Sequence, residues 1–359
     1  MKKIYSYLLI QLLQTFFFAL FALCIIFLVV NLLENLDSLL DQKVPLRTII
    51  IYYSSQFPEI LKLLTPIAML LACLFSVGKL SNQNEIIAMR TGGMSTISFL
   101  LPFLVFGMVT SLLQLYLSTE FIPNSTKRKM HIERTYLKKN TVSKQFYNLS
   151  FRENESINIL FQYYDSEVKS GSNFSIEYFT PPPKVRIKTR YDAEIVQWDS
   201  SSNSWRMSGK VLQRDFDTTI TTTVHTNMLF RSNISNDKLV SLQLTLPELT
   251  FKELEEYIEL TELGGKKVDA LWIDYYGQHA FPFANLIVVI FAVPFASVRK
   301  KGGIAVEIAT AMVTCFLYMA FSKVSQSIGA SMQLPHILVA WFSNGLFFVA
   351  GLINIQRIK

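Results

Sequence analysis

From Leu8 to Leu33 the chain carries no charged residue; Lys3 precedes this run and Glu34 ends it. A helix crosses the hydrocarbon core of a bilayer in about 20 residues. Ile97 to Leu117 and Ala280 to Val298 are equally free of charge, so at least three segments meet that length. Hydrophobic residues make up 50% of the 359 positions and charged residues only 17%, which excludes a disordered chain and an ordinary cytosolic enzyme. The sequence is that of an integral membrane protein.

Six spans are expected. Leu8 to Leu33 is the first; its length and the lack of a small-residue cleavage site argue against a cleaved signal peptide. The second is interrupted: Thr48 to Phe57 is apolar, Pro58, Glu59 and Lys62 intervene, and Leu63 to Gly78 resumes, which reads as an interfacial helix feeding a kinked span. Ile97 to Leu117 is the third, followed by Ala280 to Val298, Gly303 to Ser322 and Ile337 to Ile355. Short-loop basic residues stay on the cytoplasmic side. An internal N-terminus places Lys2, Lys3, Lys79, Arg90, Arg299, Lys300, Lys301, Arg357 and Lys359 there and leaves only Lys43 and Arg47 in short outer loops. Both termini are then cytoplasmic and residues 118–279 are external. That region holds 21 Lys+Arg and 21 Asp+Glu, so the net charge of +7 belongs to the membrane part. It is a topology signal, and no basic folded domain is left to suggest nucleic acid.

Within 118–279 the periodicity changes to two-residue alternation, the mark of half-buried strands. Val185, Ile187, Tyr191, Ala193 and Ile195 alternate with Lys184, Arg186, Lys188, Arg190, Asp192 and Glu194. Similar stripes are Ile157, Ile159, Phe161 and Tyr163; Phe174, Ile176 and Tyr178; Trp205, Met207 and Val211; and Ile220, Val224, Met228 and Phe230. An antiparallel, jelly-roll-like or open-sandwich domain is expected over about 145–250, with Pro181-Pro182-Pro183 in a loop or edge. An amphipathic helix follows over about 251–263, capped by Thr250 with Glu253 and stopped by Gly264-Gly265. The fold class is therefore an α-helical membrane protein of six spans with an inserted all-β domain: residues 1–117, 118–279 and 280–359.

No catalytic constellation is visible. The chain has no G-x-x-x-x-G-K-[ST] phosphate loop, no G-x-S-x-G and no H-E-x-x-H. His131, His225, His279 and His336 are scattered, and Cys24, Cys73 and Cys315 lie in apolar runs, so no metal site, cofactor site or disulfide framework is expected. The informative loop lies near 81–93. Asn82 can cap a short helix with Glu85 at its third position, and Gly92-Gly93 ends it. Ile86, Ile87 and Met89 have few local residues to bury against, beside Glu85 and Arg90. Such a helix suits a groove on a cytoplasmic partner or rests on lipid headgroups.

Gly78-Lys79-Leu80 through Asn84-Glu85-Ile86-Ile87-Ala88-Met89-Arg90-Thr91-Gly92-Gly93 resembles the G-x-L-x-x-x-x-E-x-x-A-M-x-x-x-G motif of the LptF/LptG (YjgP/YjgQ) permeases. Phe281-Pro282-Phe283-Ala284-Asn285-Leu286 with Ala292-Val293-Pro294-Phe295-Ala296 resembles that family's fourth span, and the Asp199 to Met207 strand-turn-strand with Trp205 also matches. The resemblance covers nearly the full length and is slightly closer to LptG. It implies a bacterial inner-membrane permease subunit that extracts lipopolysaccharide, paired with a paralogous LptF/LptG chain. A separate LptB-type ATPase dimer energises it, and LptC/LptA-type periplasmic jelly-roll proteins receive the lipid. On this reading Glu85, Ile86, Ile87, Met89 and Arg90 couple to the ATPase, and residues 118–279 are periplasmic. One departure is that Glu34, Asp37 and Asp41 occupy the outer end of span one, where LptG-like chains tend to be basic.

Lys43, Arg47, Arg134 and Lys323 are the candidate partners for lipid phosphates, since phosphates entering a low-dielectric region need charged donors; each also fits simple snorkelling at a helix end. Phe161, Ile176, Tyr178, Ile187, Tyr191 and Trp205 are candidates for an acyl-chain groove in the β domain, or are simply its core. Two other functions stay open: a membrane protein that couples an ATPase to an external domain without moving lipid, and a membrane-anchored structural or sensor module.

Overall fold

The computed structural model describes residues 2–357 apart from 138–144, 155, 182–183, 218, 233–234, 242–243, 264–266, 298–302 and 333. Pro182, Pro183, Gly264, Gly265, Arg299, Lys300, Lys301 and Lys359 thus lie outside the described residues. The chain forms two units, one of Met1–Leu137 with Asp269–Lys359 and one of Lys138–Val268.

In the first unit the apolar runs fold into helices longer than the runs themselves. Helix α1 spans Lys2–Asp41, about 60 Å at 1.5 Å per residue, which is twice the hydrocarbon thickness of about 30 Å. It buries one stripe, Leu8, Leu12, Phe16 and Ala19, and leaves Phe17, Phe18, Phe21, Ile26 and Val29 exposed. Helix α2, Leu46–Asn82, is the central element. Its small residues Ala68, Ala72 and Ser76 recur every four positions and are fully covered, which permits close helix approach in lipid. Val289, Ala292, Val293 and Ala296 join them in one core cluster or its immediate surface.

Short helix α3 covers Glu85–Thr91, α4 covers Thr96–Thr119 and α5 covers Phe121–Ile132, leading into a π-helical turn at Glu133–Leu137. Ser95 caps α4 by accepting from the Ser98 N–H at 3.2 Å. After the second unit come α8 (Asp269–Ala280), a 3-10 turn at Phe281–Phe283 and α9 (Ala284–Ser297). Helices α10 (Gly303–Ser331) and α11 (His336–Arg357) complete the unit. A Cβ on Gly329 would lie 2.2 Å from Val339, so only glycine lets α10 and α11 close at this point. Among the described residues, five segments are long and apolar enough to cross a membrane: α1, α2, α4, the broken α8–α9 segment and α11.

Two expectations are corrected here. The second span is one continuous helix, although Pro58, Glu59 and Lys62 suggested two pieces. Distant partners support the continuous helix: Lys129 of α5 pairs with Glu59 at 2.9 Å, and Gln114 of α4 donates to the backbone carbonyl of Lys62 at 3.1 Å. The helical segment of the fourth span begins eleven residues earlier than its apolar run, at Asp269, which pairs with His336 of α11 at 3.1 Å.

The second unit is a six-stranded antiparallel sheet: β1 (Gln145–Asn154), β2 (Ile157–Asp165), β3 (Ser170–Phe179), β4 (Ile187–Asp199), β5 (Ser204–Phe216) and β6 (Ile220–Phe230). Each strand pairs with the next in sequence. This is a meander, where a jelly roll would have crossing connections. Phe161 pairs with Phe174 and Ile159 with Ile176, and Trp205 stands among Phe161, Tyr164 and Trp198 with ring centroids 4.9–5.6 Å apart. Helix α6 (Asn236–Ser241) is tied to this core by the Tyr164 hydroxyl on Asn236, and Leu260 of α7 (Phe251–Leu263) packs on it. The Thr250–Glu253 box closes the start of α7 with bonds of 2.9 and 3.3 Å.

The expected alternation fails at several points: register shifts fall at Arg152/Asn154, Tyr178/Phe179, Ala193/Ile195 and Met207/Lys210, Tyr164 is buried in place of Tyr163, and Ile220 and Val224 of β6 are exposed. At the third of these the extra residue lies on β5, where Val211 to Ser208 runs opposite Ala193 to Ile195; there Ile195 turns outward and Val196 is buried. The β4–β5 turn is held by Asp199, which accepts from the Ser201 hydroxyl at 2.6 Å and the Ser201 N–H at 3.0 Å; these donors hold its carboxyl down at about 2. The polar face carries Arg190 between Glu177 (3.2 Å) and Asp192 (2.8 Å).

Candidate functional site

Glu59 and Lys62 stand one turn apart on α2, and the pairing of Glu59 with Lys129 leaves Lys62 to other partners. Lys62 is half-buried, and its ammonium feels two charged groups, Glu59 and Lys323 of α10. Lys323 in turn acts on Asp274 of α8. Helices α2, α8 and α10 thus place Lys62, Lys323 and Asp274 within electrostatic reach in turn, Lys62 with Lys323 and Lys323 with Asp274. Two like charges drawn from separate spans repel across a partly buried space, and a shared anion removes that repulsion. Among the sequence candidates only Lys323 stands in this cluster. Lys43, with φ +49°, and Arg47 are exposed on the α1–α2 turn, and about 22 Å of helix at 1.5 Å per residue separates Arg47 from Lys62. Arg134 is half-buried in the π-helical turn after α5, next to Glu133, which accepts from Tyr52 at 2.9 Å.

Beneath Lys62 runs a chain of amides. Pro66 has no N–H, so the Lys62 carbonyl four residues earlier lacks its helical donor; Gln114 Nε2 supplies one. Gln114 Oε1 accepts from Asn285 Nδ2 at 2.8 Å, and Asn285 also donates to the Pro282 carbonyl at 3.0 Å. On the other side of the break, Asn344 of α11 donates from Nδ2 to the Ala280 carbonyl at 2.8 Å, and its Oδ1 accepts from the Tyr318 hydroxyl of α10. Unpaired backbone groups cost several kcal/mol in hydrocarbon, so these amides are what permits two proline-interrupted spans.

Helix α3 differs from its expected form. Asn82 is the last residue of α2, and the helix starts at Glu85 behind Asn84, whose φ of +57° makes the corner. Gly93 ends it at φ +88°, with the Met94 N–H reaching back to the Met89 carbonyl at 3.0 Å. Ile86 is buried with Leu8, Leu12 and Leu80, and Met89 packs at the edge of the same cluster. Ile87 alone among the apolar three is open, 59% exposed, beside exposed Arg90. Glu85 accepts from the Tyr7 hydroxyl of α1 at 3.2 Å.

In the sheet unit, Phe161, Ile176 and Trp205 are sealed in the core, each 1% exposed. Tyr178, Tyr191 and Ile187 are half-buried at one end of the same face, the two tyrosines edge to face at 5.9 Å. Among the described residues no group of three or more His, Cys, Asp or Glu is placed to hold a metal.

Sequence reasoning missed Lys62 and the amides Gln114, Asn285 and Asn344. The available signal was polarity inside an apolar run: an ionisable residue within a span is by default a functional candidate, whereas Lys62 had been treated as a break. A family model described as lipopolysaccharide export system permease LptF/LptG matches residues 6–357. Comparison with curated proteins returns no match.

Proposed function

Because the chain belongs to the LptF/LptG family of lipopolysaccharide export permeases, we propose that it is one transmembrane subunit of an ATP-driven exporter that lifts this lipid out of the inner membrane. On this reading α1, α2, α4, α8–α9, α10 and α11 are six spans, both termini are cytoplasmic and the sheet unit is periplasmic. A paralogous permease chain completes the lipid cavity, an LptB-type ATPase dimer binds α3, and LptC/LptA-type proteins take the lipid from the sheet.

What supports the proposal is that α2 and α10 pack together and place the half-buried Lys62 within electrostatic reach of Lys323 from a second span. Lipid phosphates entering there exchange water for two ammonium donors, which are strong because both partners are charged. Lys43, Arg47 and Arg134 form a more outward set that meets the polar headgroup. Tyr178, Tyr191 and Ile187 offer an apolar, partly open surface for acyl chains, with Phe161, Ile176 and Trp205 as its floor. The direct test is ATP-dependent release of lipopolysaccharide from vesicles holding the chain with its permease partner and ATPase. No release above an ATP-free control would overturn the proposal.

Coupling has a separate expected result. The Ile87 side chain is exposed, so Ile87→Asp should weaken ATPase capture about tenfold, the effect of one buried interface side chain at about 1.4 kcal/mol, with an unchanged melting temperature. Glu85→Lys should act in the same direction and also break the Tyr7 contact. Full co-purification of the ATPase with both variants would remove α3 as the docking element.

A further inference from the structure

The amide chain does more than close two gaps. Its first member acts on the backbone of Lys62 itself, and its second on the break that separates α8, which carries Asp274, from α9. Gln114 is 5% exposed and Asn285 fully buried, so water cannot replace either bond. The approach that brings them together depends on Gly107, two turns before Gln114, where an added Cβ would stand 3.1 Å from Val289. A turn of helix whose carbonyl lacks a donor is free to unwind or shift, whereas a turn held from a neighbouring span is fixed. The bonded turn is the one that carries the half-buried ammonium.

We propose that Gln114 is a positioning residue for the headgroup site: through the Lys62 carbonyl and Asn285 it sets the Lys62 turn of α2 against the broken α8–α9 span, and so aims the Lys62 ammonium at a phosphate shared with Lys323. The proposal rests on the reading of Lys62 and Lys323 as phosphate donors. It assigns to Gln114 no contact with lipid.

The test uses the whole complex in nanodiscs and two probes, diphosphorylated lipid A and the same lipid A with its phosphates removed. Gln114→Met keeps the side-chain length and removes both bonds. It should weaken binding of the phosphorylated probe about tenfold, the worth of one hydrogen bond to a charged group, and leave the other probe unchanged. Gln114→Glu adds a pH readout. A buried carboxyl has a raised pKa; protonated, it donates to the Lys62 carbonyl and accepts from Asn285, and ionised, it has no hydrogen to give. This variant should match wild type at acid pH and lose phosphate preference as pH rises, each point referred to wild type at that pH.

Lys62→Gln serves as the reference arm. If it abolishes the preference for phosphate and Gln114→Met lowers affinity for both probes equally, Gln114 is merely structural and the proposal is overturned while the headgroup reading stands. If Lys62→Gln leaves the preference intact, Lys62 holds no phosphate and both fall. Should Gln114→Met fail to accumulate, the pH dependence of Gln114→Glu decides alone, and a flat profile overturns the proposal.

Discussion

Reversing the charge at Lys62 should stop lipid export while leaving the protein folded. Wild-type Lys62 lies within electrostatic reach of Lys323 and Glu59. In Lys62→Glu a second acid stands beside Glu59, and the phosphate meets repulsion where it had a donor. Losing one hydrogen bond to a charged group costs about 1.5–3 kcal/mol, so Lys62→Ala should slow release roughly 10- to 100-fold at 1.4 kcal/mol per decade. Glutamate adds repulsion to that loss and should bring release to background. Lys323→Glu should likewise exceed Lys323→Ala. If both lysines only snorkel toward the membrane surface, alanine and glutamate should differ little in transport and should change the melting temperature instead. Measuring release from vesicles beside thermal stability separates the two cases.

The largest stability effect is expected at Trp205. Its ring is 1% exposed and is surrounded by Phe161, Tyr164 and Trp198. Trp205→Ala removes the centre of the sheet core and leaves a cavity that aromatic neighbours held by the ladder cannot fill. Substitutions of this kind cost about 3–5 kcal/mol. Hydrogen exchange of β3 to β5 in the intact chain should then rise by at least two orders of magnitude, as expected when about 3 kcal/mol of opening free energy is lost, whereas exchange in α2 and α9 should hardly change. Unaltered protection in β3 to β5 would mean that Trp205 is peripheral to the sheet's stability.

The membrane part was legible because a charge-free run is a one-dimensional signal: Leu8 to Leu33 needs no partner to declare itself. Whatever depended on a partner distant in sequence was hidden. Glu59 and Lys62 read as a break in span two because Lys129, which pairs with Glu59, and Gln114, which bonds the Lys62 backbone carbonyl, lie far along the chain. Ile86 read as unburied because the residues that cover it belong to α1 and α2. In the sheet, Ile159 and Phe161 followed strict alternation into the core, and Ile195 did not, since a bulge is written in pairing and not in hydropathy. Lys323 could be picked out by its place at the end of an apolar run. Its partner Lys62 could not, because nothing in a linear sequence places α2 beside α10.

The central claim is that a phosphorylated glycolipid enters the helical unit beside Lys62. Thr65 stands one turn after Lys62 on the same face of α2 and is half-buried, so a photo-crosslinking side chain placed there reports what occupies that space in living membranes. The expected product is a lipopolysaccharide adduct that forms in wild type and falls to background when Lys62→Glu is added. Adducts of ordinary phospholipid alone, equal with and without the substitution, would contradict the account.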